Sequence, residues 1–358
     1  MGDFMTLSIT TTVAAVLQKS TESLLIEEIL LPSKLHTGQV LVEVITSGLC
    51  GAQINEIDAV KGPDKFLPHL LGHEGFAKVL ETGPGVTTVA PGDQVVMHWR
   101  PGSGIQASPP VYKWRNKELN AGWVTTLNNH AVVSENRITK IPTSNYDKNV
   151  VPLLGCALTT ALGVLEREAR ISFRDSILIF GGGGVGLLLV KLSRLFGIKE
   201  VTVIDIYDEK LQKAQELGAL NTLKFTDKAQ AILSLNELYG GNFPTVAIDT
   251  TGKSDAIEIC YEVSSAVARI ILVGVPRIDT KASFYTLPLH FGKSIKGTEG
   301  GQSIPQEDIP LLLSLISKKQ LDFEDYPTHS YPLISINEAI AQLKSGSTGR
   351  MIIDFEKN

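Results

Sequence analysis

Only three cysteines occur among the 358 residues, and they lie far apart. So few thiols exclude a disulfide-rich secreted scaffold and favour a reducing compartment, so we expect a cytoplasmic protein. The sequence also lacks any apolar run of about 18 residues or more, which excludes a simple membrane-spanning helix. Its first residues have neither a basic start nor a long apolar segment, so we expect no signal peptide.

An excess of positive charge is missing as well. The formal net charge is −5, whereas nucleic-acid-binding proteins usually carry basic patches, so we expect no nucleic-acid partner and no membrane partner. Hydrophobic residues make up 43% of the chain and charged residues 20%, as in an ordinary globular protein with sizeable cores. A chain of this length favours two domains.

Two sequence textures divide the chain. Up to about residue 150, short β-branched stretches alternate with turn residues, as in QVLVEVITSG, FAKVLETGPG and DQVVMHW, and predict a mostly β region. Beyond it, the apolar strand candidates SILIF, EVTVIDI, TVAIDTTG and ARIILVGVP alternate with helix-like segments, which predicts a parallel sheet covered on both faces. The last part is mixed, with a helix in INEAIAQLKSG and a strand in GRMIIDFE.

Four consecutive glycines in GGGGVG separate SILIF from the helical LLLVKLSRLFG. A flexible linker is the plain alternative, but Gly181, Gly183 and Gly186 fit the G-x-G-x-x-G pattern of a dinucleotide-binding loop. In that pattern the glycines allow a tight turn, a close approach to a pyrophosphate, and close helix–strand packing. The helix N-terminus offers free N–H groups to the phosphates. We include Gly184 and Val185 in this cofactor loop.

A single acid, Asp205, ends the next apolar run, 19 residues after Gly186. At this place an acid can accept hydrogen bonds from the adenosine ribose and would repel a 2′-phosphate. Ile206, which follows, supplies no compensating cation. The pattern therefore predicts NAD(H) rather than NADP(H), with Asp205, Ile206 and Lys210 among the cofactor-binding residues.

Cys50, His73 and Cys156 are candidate zinc ligands. Thiolate and imidazole suit Zn²⁺, and three protein ligands leave one position open for catalysis. The three residues are 23 and 83 positions apart, and no C-x-x-C pair exists. Spacing alone therefore favours two buried structural cysteines and a core histidine.

Longer stretches change this interpretation. The segments GLCGAQINEIDAVKG, LPHLLGHEGFAKVLETGPGVTTVAPGDQVV, GCALTTALG, GGGGVG, VIDIYDEKLQKAQELGA and LVGVP follow one another in this order. Together they resemble the medium-chain, zinc-dependent alcohol dehydrogenases over nearly the whole chain. The resemblance implies an α/β protein with a GroES-like β-rich catalytic domain in residues 1–157 and 300–358. It places a Rossmann domain, a doubly wound parallel sheet, in residues 158–299, and it implies a homodimer or homotetramer.

The same resemblance assigns roles to individual residues. Cys50, His73 and Cys156 become the ligands of one catalytic zinc ion, and Glu74 matches an acid beneath the metal that can also ligate it. The cofactor contacts that it implies are Thr160, Val273 and Val275 beside the nicotinamide and Arg350 at the pyrophosphate. Trp99 matches an aromatic wall of the substrate pocket.

A first departure from the family concerns structural zinc. Relatives that carry this second ion have four cysteines in a lobe soon after the GDQVV strand, and the corresponding region here contains none. The lobe cannot bind that metal through thiolates. We therefore expect one zinc ion per chain and a lobe that folds by packing around Trp114 and Trp123.

A second departure concerns the proton path. The family commonly has Cys-x-Ser/Thr-Asp at the first ligand, but Ala52 has no hydroxyl and Gln53 lacks the charge of a carboxylate. Asn55 stands where some relatives place a relay histidine. Water, the substrate or another side chain then carries the proton, or the reaction is not simple alcohol oxidation. His98 and Arg100 offer contacts for a polar or anionic substrate, although a lone histidine or arginine is more often an ordinary surface residue.

These observations predict hydride transfer between NAD(H) and a polar alcohol or carbonyl compound, such as a polyol, a sugar or a nucleotide-linked sugar. Two alternatives stay open. The altered proton path at Ala52 and Gln53 fits a lyase or dismutase that retains zinc and NAD. The other alternative is a non-catalytic nucleotide-binding protein of the same fold.

Overall fold

A computed structural model describes residues 7–144 and 146–357. The strands in this part of the chain are β1 Thr11–Leu17, β2 Leu25–Leu30, β3 Gln39–Leu49, β4 His69–Leu70, β5 Glu74–Thr82, β6 Gln94–His98, β7 Val111–Trp114, β8 Lys117–Asn120, β9 His130–Ser134, β10 Ile138–Lys140, β11 Ile177–Phe180, β12 Val201–Asp205, β13 Asn221–Lys224, β14 Val246–Asp249, β15 Arg269–Leu272, β16 Ser294–Gly297, β17 Thr328–Tyr331 and β18 Arg350–Asp354. The α-helices are α1 Gly51–Ile57, α2 Ala157–Gly163, α3 Gly184–Ser193, α4 Asp208–Glu216, α5 Lys228–Tyr239, α6 Ser254–Glu262, α7 Pro305–Ser317 and α8 Ile336–Lys344.

The β-rich part contains two sheets. Strands β1, β2, β7, β8 and β4 form a closed barrel, and a second sheet has the order β10-β6-β5-β3-β18-β17, with β9 also paired to β3. Because β18 pairs antiparallel with β3, the end of the chain returns to the sheet formed by its first third. This return places residues near 350 beside those near 50 and 74, where the candidate metal ligands lie.

The remaining sheet is parallel, with the order β13-β12-β11-β14-β15-β16. Every residue of β11, β12 and β14 is buried, as strands covered by helices on both faces require. The strand order reverses at β11, because β12 lies on one side of it and β14 on the other. In doubly wound sheets such a reversal opens a crevice at the carboxyl ends of the strands. The predicted combination of a GroES-like part and a Rossmann-type sheet is confirmed.

The cysteine-free lobe, which comprises residues 99–123, is tied down by a carboxylate. Glu135 is buried, and its Oε1 accepts the backbone N–H groups of Thr87 at 2.7 Å and Thr88 at 2.9 Å. Its Oε2 accepts the N–H of Ile105, inside the lobe, at 2.7 Å. Burial alone raises the pKa of Glu135, but these hydrogen bonds outweigh burial and lower it. A charged acceptor thus holds three backbone segments together.

The two lobe tryptophans behave differently. Trp114 is buried, and its indole N–H donates to Glu27 Oε2 at 2.6 Å. Trp123 is 42% exposed, and the Arg137 guanidinium lies over its ring at 5.2 Å. The expectation that the lobe packs around tryptophan therefore holds for Trp114 and is wrong for Trp123, which forms part of the surface. Within the described residues, no helix is both long and apolar enough to cross a bilayer.

Candidate active site

Three separate segments bring the predicted zinc ligands together. Cys50 directly precedes α1, His73 lies between β4 and β5, and Cys156 directly precedes α2. Their ligand atoms all lie within 4.8 Å of one another. Cys156 is buried, while Cys50 and His73 are partly buried. Two sulfurs and one ring nitrogen at this separation fit a tetrahedral zinc ion with one position left for a substrate.

The two cysteines of the ligand cluster differ in their tendency to ionise. A hydrogen bond from Cys156 lowers the pKa of Cys50 well below its ordinary value, and the positive charge of Arg350 acts in the same direction. Burial lowers the pKa of His73, but the hydrogen bond to Cys50 and the negative charges of Cys50 and Glu74 together outweigh burial and leave this pKa raised. The same hydrogen bond, together with burial, raises the pKa of Cys156, so before a metal binds Cys50 is the sulfur that ionises. A thiolate is the form of cysteine that binds metal, which makes Cys50 the ligand prepared for zinc.

Glu74 lies beside this cluster without joining it. It is fully buried at the start of β5 and forms an ion pair with Arg350, the first residue of β18. One of its carboxylate oxygens also accepts the backbone N–H of Ala157 at 3.3 Å. Burial raises the pKa of Glu74, and the charge of Arg350 opposes this effect. The set of mutually close ligand atoms consists of the two cysteines and His73, so ligation by Glu74 stays a prediction.

Arg350 connects the metal ligands to the cofactor loop. Its guanidinium pairs with Glu74 instead of pointing freely toward a pyrophosphate. Its methylene stem passes so close to Gly184 that a Cβ on this glycine would overlap it. The side chain therefore lies at the first residue of α3 while its charge is directed to Glu74. The predicted contact with a pyrophosphate stays a prediction.

The glycine loop has the geometry that its sequence pattern requires. Gly181 has a φ of +103°, which disfavours other residues, and it follows the last residue of β11. A Cβ on Gly186 would overlap the carbonyl oxygen of Gly181, so only glycine lets α3 pack this closely. No atom lies within 4 Å of the place where a Cβ of Gly183 would stand. The start of α3 is therefore open at Gly183, and Gly183, Gly184 and Val185 are all partly exposed, so an anionic ligand could approach this helix end.

Asp205 lies at the end of β12, next to this loop. Its carboxylate accepts the backbone N–H of Gly182 at 2.7 Å and that of Tyr207 at 3.0 Å. Ile206 is 44% exposed, and the Lys210 ammonium lies 4.7 Å from the ring centre of Tyr207. A cation, the ammonium group of Lys210, therefore lies near the predicted ribose site. It lies one helical turn beyond Ile206, the position at which the sequence pattern would place a compensating cation.

The residues predicted to lie beside the nicotinamide follow two different elements. Thr160 is buried in α2, and its backbone N–H donates to the carbonyl of Cys156 at 2.8 Å, so the first turn of α2 fixes it relative to that ligand. Val273 and Val275 follow the carboxyl end of β15; Val273 is half-buried and Val275 is 45% exposed. Both valines lie at the edge of the parallel sheet that carries the glycine loop.

His98 and Arg100 do not offer free groups to a substrate. His98 is buried, its Nδ1–H donates to the carbonyl of Arg100 at 2.7 Å, and its Nε2 lies 2.9 Å from the Thr139 hydroxyl. Arg100 pairs with Glu299 at 2.8 Å. Both side chains already have partners within the protein, and substrate contacts through these two residues stay a prediction. Trp99 is half-buried and stays a candidate wall of the pocket.

Two residues at the site escape the sequence patterns considered above. Asp249 ends β14 and is fully buried; it accepts the N–H groups of Thr251 and Gly252, both at 2.9 Å, and burial raises its pKa. The hydroxyl of Thr250, the residue after Asp249, donates to the carbonyl of Gly181 at 3.0 Å. An acid that ends a second buried strand, as Asp205 does, is the signal that could have located Asp249. The buried Tyr326, whose hydroxyl donates to the carbonyl of Gly184 at 3.0 Å, has no such signal.

Two family profiles match the parts of the chain that carry this site. The family profile described as alcohol dehydrogenase GroES-like domain matches residues 36–143, and the profile described as zinc-binding dehydrogenase matches residues 184–318. The chain belongs to the medium-chain, zinc-dependent alcohol dehydrogenase family. It is 26% identical to the S-(hydroxymethyl)glutathione dehydrogenase of Candida maltosa, over 96% of each chain. It is 27% identical to alcohol dehydrogenase 2 of Oryza sativa subsp. japonica, over 96% of this chain and 97% of the relative.

Several solved structures share the fold of this chain. An alcohol dehydrogenase zinc-binding domain protein from Burkholderia ambifaria is 25% identical, with a TM-score of 0.85 over 96% of this chain and 98% of that one. A benzyl alcohol dehydrogenase from Acinetobacter calcoaceticus is 22% identical, also with a TM-score of 0.85, over 97% and 99%. An E. coli CFT073 protein described as a short chain alcohol dehydrogenase, complexed with the cofactor NADH, is 21% identical, with a TM-score of 0.78 over 97% and 100%. For this family member, the sulfur–imidazole cluster fits zinc and the open glycine loop fits a dinucleotide, so the two predicted cofactors suit the residues present.

Proposed function

We propose that the protein is a zinc-dependent dehydrogenase that transfers a hydride between NAD(H) and a polar alcohol or carbonyl compound. The observation that carries this proposal is the convergence of the ligand atoms of Cys50, His73 and Cys156 within 4.8 Å. When bound, zinc supplies a Lewis acid for the substrate oxygen and NAD supplies the hydride acceptor. The protein holds both groups: the triad binds the metal, and the start of α3 with Gly181, Gly183 and Gly186 binds the pyrophosphate.

The protein also has to position the reacting groups and to remove a proton. In this proposal Thr160, one turn of helix beyond Cys156, and Val273, which follows β15, would contact the nicotinamide and restrict it to a reactive orientation. Ala52, exposed on α1, has no hydroxyl, so a water molecule or a second hydroxyl of the substrate accepts the alcohol proton. Oxidation of an alcohol then yields the carbonyl compound, NADH and one proton.

A polar substrate suits the exposed side of α1. Asn55 is half-buried there, and Glu56 is 46% exposed one helical turn after Ala52. Burial raises the pKa of Glu56, and the charges of His69 and His73 oppose this effect. His69 lies 3.9 Å from Glu56. This polar side of the helix supports a polyol, a sugar or a nucleotide-linked sugar rather than a simple alkanol.

Kinetics with two small alcohols test the substrate class. We expect efficient NADH formation from 1,2-propanediol and poor turnover of 1-propanol, because only the diol brings its own hydroxyl. Ala52→Ser should raise activity with 1-propanol more than with the diol, since positioned proton transfer contributes roughly 10² to 10⁴ in rate. Equal and efficient turnover of both alcohols by the wild type would rule out the substrate hydroxyl as the relay.

The altered relay at Ala52 and Gln53 also favours a second candidate, a lyase or dismutase that keeps zinc and NAD bound. Such an enzyme consumes a substrate with no net change in NADH absorbance. A screen of sugars, polyols and nucleotide sugars by thermal shift with NAD⁺ present, followed by product analysis, separates the two. A protein that binds nucleotide but no zinc and turns over nothing would support the non-catalytic alternative.

The choice of cofactor is a separate prediction. Asp205 should favour NAD⁺ over NADP⁺ by on the order of 10²-fold in affinity, because its carboxylate accepts ribose hydrogen bonds and repels a phosphate. Asp205→Ser should narrow this gap, and Asp208→Ser on the exposed start of α4 serves as the control for charge alone. Calorimetric titration with both cofactors measures the ratio. Wild-type protein that binds NADP⁺ as tightly as NAD⁺ would contradict the ribose assignment and would point to Lys210 instead.

We also propose the domain limits 1–157, 158–299 and 300–358, a cytoplasmic location and a homodimer or homotetramer. The unpaired state of all three cysteines supports a reducing compartment. The exposed side chains of Tyr285, Leu287 and Phe291 lie next in sequence to β16, the edge strand of the parallel sheet, and support association through this sheet. Light scattering after size-exclusion chromatography measures the oligomeric state, and a monomer at micromolar concentration would contradict the proposal.

A further inference from the structure

Gln53 occupies the space between two of the zinc-ligating residues. It is the third residue of α1 and only 1% exposed. Its Oε1 accepts the backbone N–H of Cys50 at 2.7 Å, and its Nε2 contacts Nδ1 of the His73 ring. One amide side chain therefore bridges the peptide group of one ligand and the ring of another.

The orientation of this amide is fixed by its neighbours. A backbone N–H can only donate, so the end of Gln53 that faces Cys50 must be the carbonyl oxygen. The NH₂ end, which can also only donate, then faces Nδ1 of His73. Since Nδ1 is occupied by this contact, Nε2 is the nitrogen left for a metal.

Zinc binding changes what the histidine ring requires. A ring that ligates a metal through Nε2 carries its proton on Nδ1, and metal-ligating histidines almost always donate this second N–H to an acceptor. In the observed orientation Nδ1–H would meet the NH₂ group of Gln53, which is a donor. Turning the amide over satisfies His73 but directs the NH₂ group at the N–H of Cys50. A carboxylate of the same length would accept from both groups at once.

We propose that Gln53 is a positioning residue that weakens the hold of the Cys50–His73–Cys156 triad on zinc, because its amide satisfies either the Cys50 peptide or the metal-ligating ring of His73 but not both. The inference rests on the proposed function only in requiring zinc at this triad. Its consequence is a catalytic metal that exchanges more readily than it would beside a carboxylate.

A purely structural role for Gln53 makes a different prediction. The hydrogen bond to Cys50 caps the start of α1, and a side chain that serves only as this cap would be replaced by glutamate with no effect on the metal. Gln53→Glu keeps the length and the cap and changes only the group that faces His73. Asn55→Asp, two residues further on the same helix and half-buried, adds the same charge without these contacts and is the matched control.

Zinc release from the purified, zinc-loaded proteins tests the proposal without reference to activity. The rate is followed by the absorbance of a coloured chelator, 4-(2-pyridylazo)resorcinol, in excess. Gln53→Glu should release zinc about 10- to 100-fold more slowly than wild type, the range typical for changes in groups that orient metal ligands. Asn55→Asp should change the rate by less than about threefold, since this half-buried charge is partly screened by solvent and lacks the contacts that Gln53 makes with Cys50 and His73.

Three outcomes are decisive. Equal or faster release from Gln53→Glu overturns the inference and leaves the proposed function intact. Slowing of the same size in Asn55→Asp also overturns it, because added charge near the metal would then be the cause. Wild-type protein that binds no zinc, whether as isolated or after incubation with Zn²⁺, overturns the proposed function itself.

Discussion

The ligand triad and the lobe of residues 99–123 belong to the same β-rich part of the chain. They differ in the groups that hold their segments together. The triad concentrates Cys50, His73 and Cys156 in one small volume. The lobe contains no cysteine and is fixed instead by the carboxylate of Glu135, which accepts the N–H of Ile105 and of two residues outside the lobe. The triad keeps its sulfur ligands where, in the proposed function, the charge of a metal would act on a substrate. Where the task is only to join backbone segments, a carboxylate is sufficient.

The triad should be the more sensitive of the two regions. Cys156→Ala removes one of three ligands, so zinc and activity should be lost together, with activity falling on the order of 10³-fold or more. Cys260→Ala is the matched control, because Cys260 is also buried but lies in α6, outside the cluster of ligand atoms. Elemental analysis and dehydrogenase assays measure both effects. Zinc retained in Cys156→Ala would remove this residue from the ligand set.

Removal of the Glu135 carboxylate should lower the stability of the lobe without changing the zinc content of the protein. Glu135→Gln removes the charge and replaces one of the two acceptor oxygens by an NH₂ donor that faces a backbone N–H, so the free energy of unfolding should fall by roughly 2 to 3 kcal/mol. Glu118→Gln, an exposed change in β8, should cost less than about 0.5 kcal/mol. Urea denaturation compares the three proteins, and zinc content should be the same in all. If Glu135→Gln were as stable as wild type, Glu135 would not be what fixes the lobe. If it lost zinc, the lobe and the triad would not be independent of each other.

The base of the lobe adds a smaller, pH-dependent effect through His98. Burial lowers the pKa of His98 from 6.5 to about 4. Between these values the unfolded chain binds a proton that the folded chain does not, so stability falls as the pH falls, by roughly 2 kcal/mol at pH 5. His98→Gln should remove this part of the slope of melting temperature against pH between pH 6.5 and 4. An unchanged slope would show that the pKa of His98 is not lowered in the folded protein.

The local elements of this chain could be predicted from the sequence, and the contacts between distant segments could not. The strand at SILIF and the helix after GGGGVG follow from apolar runs and glycines, and they appear as β11 and α3. The triad spans positions 50 to 156, so no spacing rule identifies it, and only the resemblance to a family brought its members together. Glu135 and Gln53 act on residues 20 to 48 positions away, which is why composition and periodicity reveal neither role.

The zinc content of the purified wild-type protein tests most directly the claim that this chain keeps the catalytic metal and has replaced the structural one. Elemental analysis, with protein concentration from amino-acid analysis, should give about one zinc ion per chain, since three ligands form one catalytic site and the lobe has no thiols. Removal of this ion by a chelator should abolish dehydrogenase activity while the lobe stays folded. Two zinc ions per chain would contradict the account of the lobe, and none, after incubation with Zn²⁺, would contradict the account of the triad.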